Sequence, residues 1–147
     1  MEVLIFPDAQ SLARKSADLV ESQIKTFPDS VIGLATGSTP QGLYDELIRR
    51  HKDYHLSFAR VKTFNLDEYV GIPANHPQSY RTFMDDNLFT KINIVSSNTQ
   101  VPDGMAENPL DVGPAYEKMI EEAGGIDLQV LGVGTDGHIG FNEPDSS

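Results

Sequence analysis

The residues best equipped for chemistry are gathered near the end of the chain. The segment Gly132-Val133-Gly134-Thr135-Asp136-Gly137-His138-Ile139-Gly140-Phe141-Asn142-Glu143-Pro144 holds four glycines, one histidine and two carboxylates. Glycine at this density lets the backbone adopt left-handed and close-approach conformations that other residues resist. Imidazole titrates near neutral pH, and flanking carboxylates orient it and stabilise its charged form, which is how a histidine proton shuttle is built. Asp136 stands two positions before His138 and Glu143 five after it. Metal binding is the rival use of the same side chains, since Asp-x-His can supply two ligands. His51, His55 and His76 add no matching spacing, so proton transfer without a metal is the expectation.

Two earlier segments carry complementary groups. Ala35-Thr36-Gly37-Ser38-Thr39-Pro40 offers backbone amides, three hydroxyls and the start of a helix, a set that suits a phosphate monoester. It also reads as a tight strand-to-helix turn with a capping threonine. No Gly-Lys-Ser/Thr ending follows, so it is not a P-loop. Phe64-Asn65-Leu66-Asp67-Glu68-Tyr69 places adjacent carboxylates at a strand end, where successive side chains point to opposite sides and one of the two faces any crevice there. Solvated charges in an acidic protein are the other reading. A serine hydrolase lacks its Gly-x-Ser-x-Gly elbow here.

The elements that must position these groups alternate. Strands are expected over Met1 to Phe6, Val31 to Ala35, Val61 to Leu66 and Ile126 to Val133. Helices are expected from Pro7-Asp8 to Phe27, where Ala9, Leu12, Ala13, Ala17, Val20 and Ile24 recur at three- and four-residue steps, and from Thr39 to Arg50, Ser79 to Phe89 and Leu110 to Ala123. Thr90 to Pro109 reads as irregular, with a turn at Pro102-Asp103-Gly104. Alternation of this kind implies an α/β fold: a mainly parallel, Rossmann-like three-layer sandwich with helices on both faces. Strand C-termini then share one edge, where ligands bind. All three polar segments follow strands, so they should line one crevice.

Composition narrows the partners. The 147 residues include 22 acidic and 11 basic side chains, a net charge of -11, so the mean field repels nucleic acid and any anionic ligand must be held by local donors. There are no cysteines, which excludes disulfides, thiolate zinc sites and cysteine nucleophiles. No stretch approaches a membrane span and the N-terminus has no secretory leader pattern, so a cytoplasmic protein without membrane partners is expected. The length suits one compact domain over residues 1–147.

Taken in order, Leu34-Ala35-Thr36-Gly37-Ser38-Thr39-Pro40, Phe64-Asn65-Leu66-Asp67-Glu68-Tyr69-Val70-Gly71, His76-Pro77-Gln78-Ser79-Tyr80 and Gly134 to Pro144 closely resemble the glucosamine-6-phosphate deaminase family. The resemblance runs through the whole chain and is most specific at Gly-His-Ile-Gly-Phe-Asn-Glu-Pro. It implies a cofactor-free conversion of glucosamine 6-phosphate and water to fructose 6-phosphate and ammonia. Asp67 matches the family's base for the C2 proton, and His138 the group that opens the pyranose ring, with Asp136 and Glu143 as its carboxylate partners. Thr36, Gly37, Ser38 and Thr39 match the phosphate-contacting loop. The family continues past Ser147 with a lid and further basic residues, so these residues correspond to the N-terminal part of its domain, roughly three fifths by the size of a doubly wound fold. A related lactonase, 6-phosphogluconolactonase, shares an Asp-Gly-His loop without Gly-Phe-Asn-Glu-Pro. A sugar-phosphate sensor without catalysis is the third reading; the presence of Asp67, His138 and Glu143 counts against it.

Overall fold

The computed structural model describes residues 1–144. Its helices are α1 (Ala9–Thr26), α2 (Gln41–Tyr54), α3 (Tyr80–Asn87) and α4 (Pro109–Glu122). Its strands are β1 (Val31–Leu34), β2 (Lys62–Asn65), β3 (Thr99–Gln100) and β4 (Leu128–Gln129). The strands pair in parallel in the order β3-β2-β1-β4. The sandwich expected from the alternation is therefore present, with β1 and β2 at its centre.

Side chains alternate across the sheet. Ile32 and Leu34 of β1 join Ala17, Val20 and Ile24 of α1, Leu43, Tyr44, Leu47 and Ile48 of α2, and Met84 of α3 in one buried cluster. The three- and four-residue spacing of these helical positions gives each helix the apolar stripe that covers this face. Arg50 of α2 fastens the two outer helices: it is buried and pairs with Asp18 at 2.8 Å, Glu21 at 2.5 Å and Glu46 at 2.9 Å. The opposite face is thinner. Gly33 and Phe64, paired in register, point that way, and Tyr116 of α4 meets Phe64 edge-on, with ring centroids 5.6 Å apart. The Tyr116 hydroxyl is held by the carbonyls of Asn65 and Gln100, yet α4 buries none of its own residues.

Several boundaries differ from the sequence reading. Met1 to Phe6 forms no strand, and Val3 and Ile5 are 68% and 92% exposed. An apolar run becomes a strand only where a sheet edge accepts it, and among the described residues none pairs with this one. The last strand is regular over Leu128–Gln129 alone, extended by Asp127 N donating to Val31 O and Val130 N to Gly33 O. Beyond it Leu131 and Val133 are exposed. Within the stretch read as irregular, β3 pairs with β2. α2 starts at Gln41 rather than Thr39, behind Pro40 and with no side-chain cap. α3 has the expected Ser79 cap, whose side chain accepts from Thr82 N, but ends at Asn87. The turn near Pro102-Asp103-Gly104 is displaced by a residue, with the Asp103 carboxylate accepting from Met105 N at 2.9 Å.

Candidate active site

Because the strands are parallel, the segments after β1, β2 and β4 emerge at one edge. There they enclose a cavity of about 550 Å³ lined by Thr36, Gly37, Ser38 and Thr39, by Asp67, and by His138 and Glu143, with Tyr80 and Phe141 completing the wall. Of the residues expected from the sequence to form a site, only Asp136 is absent from this lining, and it contacts His138 directly.

The first loop is anchored from beneath, where the buried Tyr44 hydroxyl donates to Ala35 O at 2.5 Å. Gly37 has φ 93°, a left-handed turn that favours glycine. The lack of a side-chain cap on α2 leaves the Ser38 and Thr39 hydroxyls unused for that purpose, and both line the cavity. Among the described residues, no lysine or arginine does.

Asp67 lies just past β2 and is half-buried. That burial, and secondarily the charge of Glu68, raises its carboxyl above the ordinary aspartate value. Glu68 turns away, accepting from the backbone N–H groups of Tyr80 and Arg81, each at 3.1 Å. It thereby serves the positive end of α3. The adjacent carboxylates thus divide as strand geometry requires, one to the cavity and one to a helix start.

The loop from Gly132 folds back on itself. Gly134 N donates to His138 O at 2.8 Å and Gly137 N to Gly134 O at 3.0 Å. His138 Nδ1 lies 2.6 Å from Asp136 Oδ1, which also accepts from His138 N at 3.3 Å. The side-chain bond is the main reason that the Asp136 carboxyl is held below its ordinary value. An ionised acceptor at Nδ1 places the proton there and leaves Nε2 as the basic nitrogen. Donor atoms of Asp136, His138 and Glu143 all lie within 4.8 Å of one another. Three such groups could ligate an ion, and the short carboxylate–imidazole bond equally suits a proton shuttle. The backbone approaches Asp67 here as well, since a Cβ built on Gly140 would stand 3.6 Å from Asp67 Oδ2. The Asp67 carboxylate and the His138 imidazole therefore share one cavity.

Residues 7–140 match the family described as glucosamine-6-phosphate isomerases/6-phosphogluconolactonase. The chain belongs to that family. Over its full 147 residues it is 51% identical to a glucosamine-6-phosphate deaminase of Thermoanaerobacter sp. (strain X514), covering 58% of that protein. A solved structure of a monomeric glucosamine-6-phosphate deaminase superposes on all of it with a TM-score of 0.96 at 41% identity, and the chain covers 61% of that structure. A 6-phosphogluconolactonase from Thermotoga maritima shares the fold, with a TM-score of 0.73 at 24% identity over 95% of this chain. The chain spans about three fifths of the length of these family members.

Sequence reasoning assigned no role to Tyr80 or Phe141, although both line the cavity. For Tyr80 the signal was available: it directly follows the Ser79 cap, and helix starts point toward the strand C-terminal edge in this architecture.

Proposed function

We propose that residues 1–147 are the N-terminal part of a glucosamine-6-phosphate deaminase domain, acting on a small amino sugar phosphate without a cofactor. The observation that carries this reading is the convergence of Asp67 with His138, Asp136 and Glu143 on one cavity whose far wall is a hydroxyl- and glycine-rich helix start. Lactone hydrolysis has no use for a carbon-acid base, whereas the deaminase needs one beside an imidazole.

The steps follow from the placement of the groups. The phosphate sits on Thr36, Gly37, Ser38 and Thr39, fixing the far end of the sugar. His138 Nε2, basic because Asp136 engages Nδ1, takes the anomeric hydroxyl proton and returns a proton to the ring oxygen, so the C1–O5 bond breaks and the aldehyde forms. Glu143 steadies the imidazolium between the two transfers. Asp67 then removes the C2 proton while the aldehyde oxygen takes up a proton, giving an enolamine. Asp67 returns its proton to C1 as the nitrogen gives one up, so C1 becomes a CH2OH group and the C2 amine becomes an imine. The proton gained at oxygen is balanced by the one lost from nitrogen. Water adds to that imine, ammonia leaves, and the ketose phosphate remains. A carboxyl raised by burial is a stronger base than an ordinary aspartate.

No described helix is long and apolar enough to cross a membrane, and the mean charge disfavours nucleic acid. We place this small-molecule enzyme in the cytoplasm. The deciding experiment assays the full-length protein for ammonia and fructose 6-phosphate formation beside hydrolysis of 6-phosphogluconolactone. Ammonia release without lactonase activity is expected, and the converse would overturn the reading.

A further inference from the structure

Three aromatic rings meet beside the cavity, each from a different part of the chain. Tyr69 follows the Asp67 strand end, Tyr80 opens α3, and Phe141 lies between His138 and Glu143. The Tyr69 and Tyr80 centroids are 4.9 Å apart, Tyr69 and Phe141 5.5 Å, and Tyr80 and Phe141 5.6 Å with their planes 30° from parallel. The Tyr80 hydroxyl is 3.2 Å from that of Tyr69, and Tyr80 lines the cavity together with Thr36. One residue on a helix therefore contacts two of the cavity-forming segments and shares the cavity wall with the third.

The cluster lies outside the buried core, since Tyr69 and Phe141 are 47% and 53% exposed. Its rings therefore contribute little to global stability, while offset aromatic contacts fix relative orientation. Backbone bonds Gly134–His138, Gly137–Gly134 and Ile139–Asn142 close the His138 loop on itself. Phe141 attaches it sideways to Tyr69, in the segment carrying Asp67.

We propose that Tyr80, with Phe141 and Tyr69, forms a positioning clasp that sets the distance between the Asp67 base and the His138 shuttle. The proposal rests on the deaminase reading. Tyr80 acts through the loops it joins rather than on the reacting atoms, so its loss should show in turnover more than in binding.

A double-mutant cycle in the full-length enzyme tests this. Tyr80→Leu and Phe141→Leu should each lower kcat on the order of 10-fold, the cost of slightly misplaced reacting groups. The double variant should fall about 10-fold rather than about 100-fold, because either change already opens the clasp. For Phe141→Leu, inhibition by inorganic phosphate should stay within about twofold and Tm within about 2 °C, since neither the first loop nor the core is touched. Phe141→Tyr, which keeps the ring, should restore turnover. Single variants at parental kcat, a multiplicative double variant, or a turnover loss matched by weakened phosphate inhibition and a lowered Tm would each overturn the clasp. A parent that releases no ammonia overturns the deaminase reading instead, so the two failures are separable.

Discussion

Gly134 and the ring of His138 are packed so closely that a Cβ on Gly134 would stand 2.2 Å from the imidazole Cε1 and Nδ1, and 2.7 Å from Asp136 Oδ1. The glycine is what lets the imidazole lie back against its own loop while its Nδ1 meets Asp136. Gly134→Ala must therefore displace the ring or break the Asp136 bond. Turnover should drop on the order of 100-fold, because a shift of about 1 Å in a catalytic group has that effect. The loop lies outside the core cluster, so Tm should move by no more than about 2 °C. Parental kcat in this variant would show that the observed ring position is not the one used in turnover.

Asp67→Asn should abolish solvent exchange at C2 while preserving sugar-phosphate binding, measured by competition and by loss of deuterium incorporation. The same substitution has a stability signature. Burial makes folded Asp67 bind its proton more tightly than the unfolded chain does. Stability therefore declines as pH rises from the ordinary aspartate value through the raised one. The neutral amide escapes that decline, so at pH 7 the variant should melt on the order of a degree higher than the parent, with the gain vanishing below the ordinary aspartate value. Parental C2 exchange in the variant would remove Asp67 from the role of base.

What the sequence made legible was the set of segments whose physics is local. The stripe Ala17, Val20 and Ile24, the Ser79 cap and the glycine-dense loop all announce themselves within a few residues, and each lies where it was expected. Thr99–Gln100 was invisible because two residues carry no periodicity; what makes it a strand is the edge of β2 beside it. Val3 and Ile5 misled for the complementary reason, an apolar run with no neighbouring edge among the described residues. At the site, the division of labour between Asp67 and Glu68 followed from alternation, but the Tyr69–Tyr80–Phe141 cluster did not. It joins residues about 60 positions apart, which no pattern within one segment can reveal.

His138→Gln should retain binding of an open-chain substrate analogue and lose turnover by a factor on the order of 100 or more, the usual contribution of a proton-transfer group. It should also act on Asp136, whose carboxyl is held low chiefly by the His138 side chain. Removing the imidazole should let that carboxyl titrate at a higher pH, closer to the ordinary value, as followed by carbon NMR. An unchanged Asp136 titration would mean that the 2.6 Å contact does not persist in solution.

Treatment of the full-length enzyme with a strong chelator should leave ammonia release unchanged, because every proposed step is a proton transfer or a water addition. The grouping of Asp136, His138 and Glu143 within 4.8 Å adds a second expectation. Excess zinc should inhibit more strongly as pH rises, since the ion must replace the proton on the imidazole. Activity lost to the chelator and restored by one particular divalent ion would assign the cluster to metal chemistry instead.

Expressed alone, these 147 residues should be a poor deaminase even though the proposed proton-transfer groups Asp67 and His138 lie within them. The cavity offers a phosphate amides and hydroxyls from Gly37, Ser38 and Thr39, and no lysine or arginine is among its described lining residues. A helix terminus near the surface contributes about 1 kcal/mol toward an anion, whereas each charge-assisted contact would add roughly twice a neutral hydrogen bond. The net charge of -11 works against the substrate as well. Weak phosphate binding also weakens the placement of the sugar carbons against Asp67 and His138, so kcat falls along with affinity. The sheet adds to the deficit: β4 is an edge strand, Leu131 and Val133 beyond it are exposed, and the α4 face is thinly covered, while the deaminases that the chain resembles are longer. Ammonia release per mole should therefore be lower on the order of 100-fold or more than in the full-length protein, the combined cost of lost charge contacts and looser positioning. Equal turnover in the two would show that the groups gathered here suffice by themselves, and that phosphate affinity does not depend on cations from elsewhere.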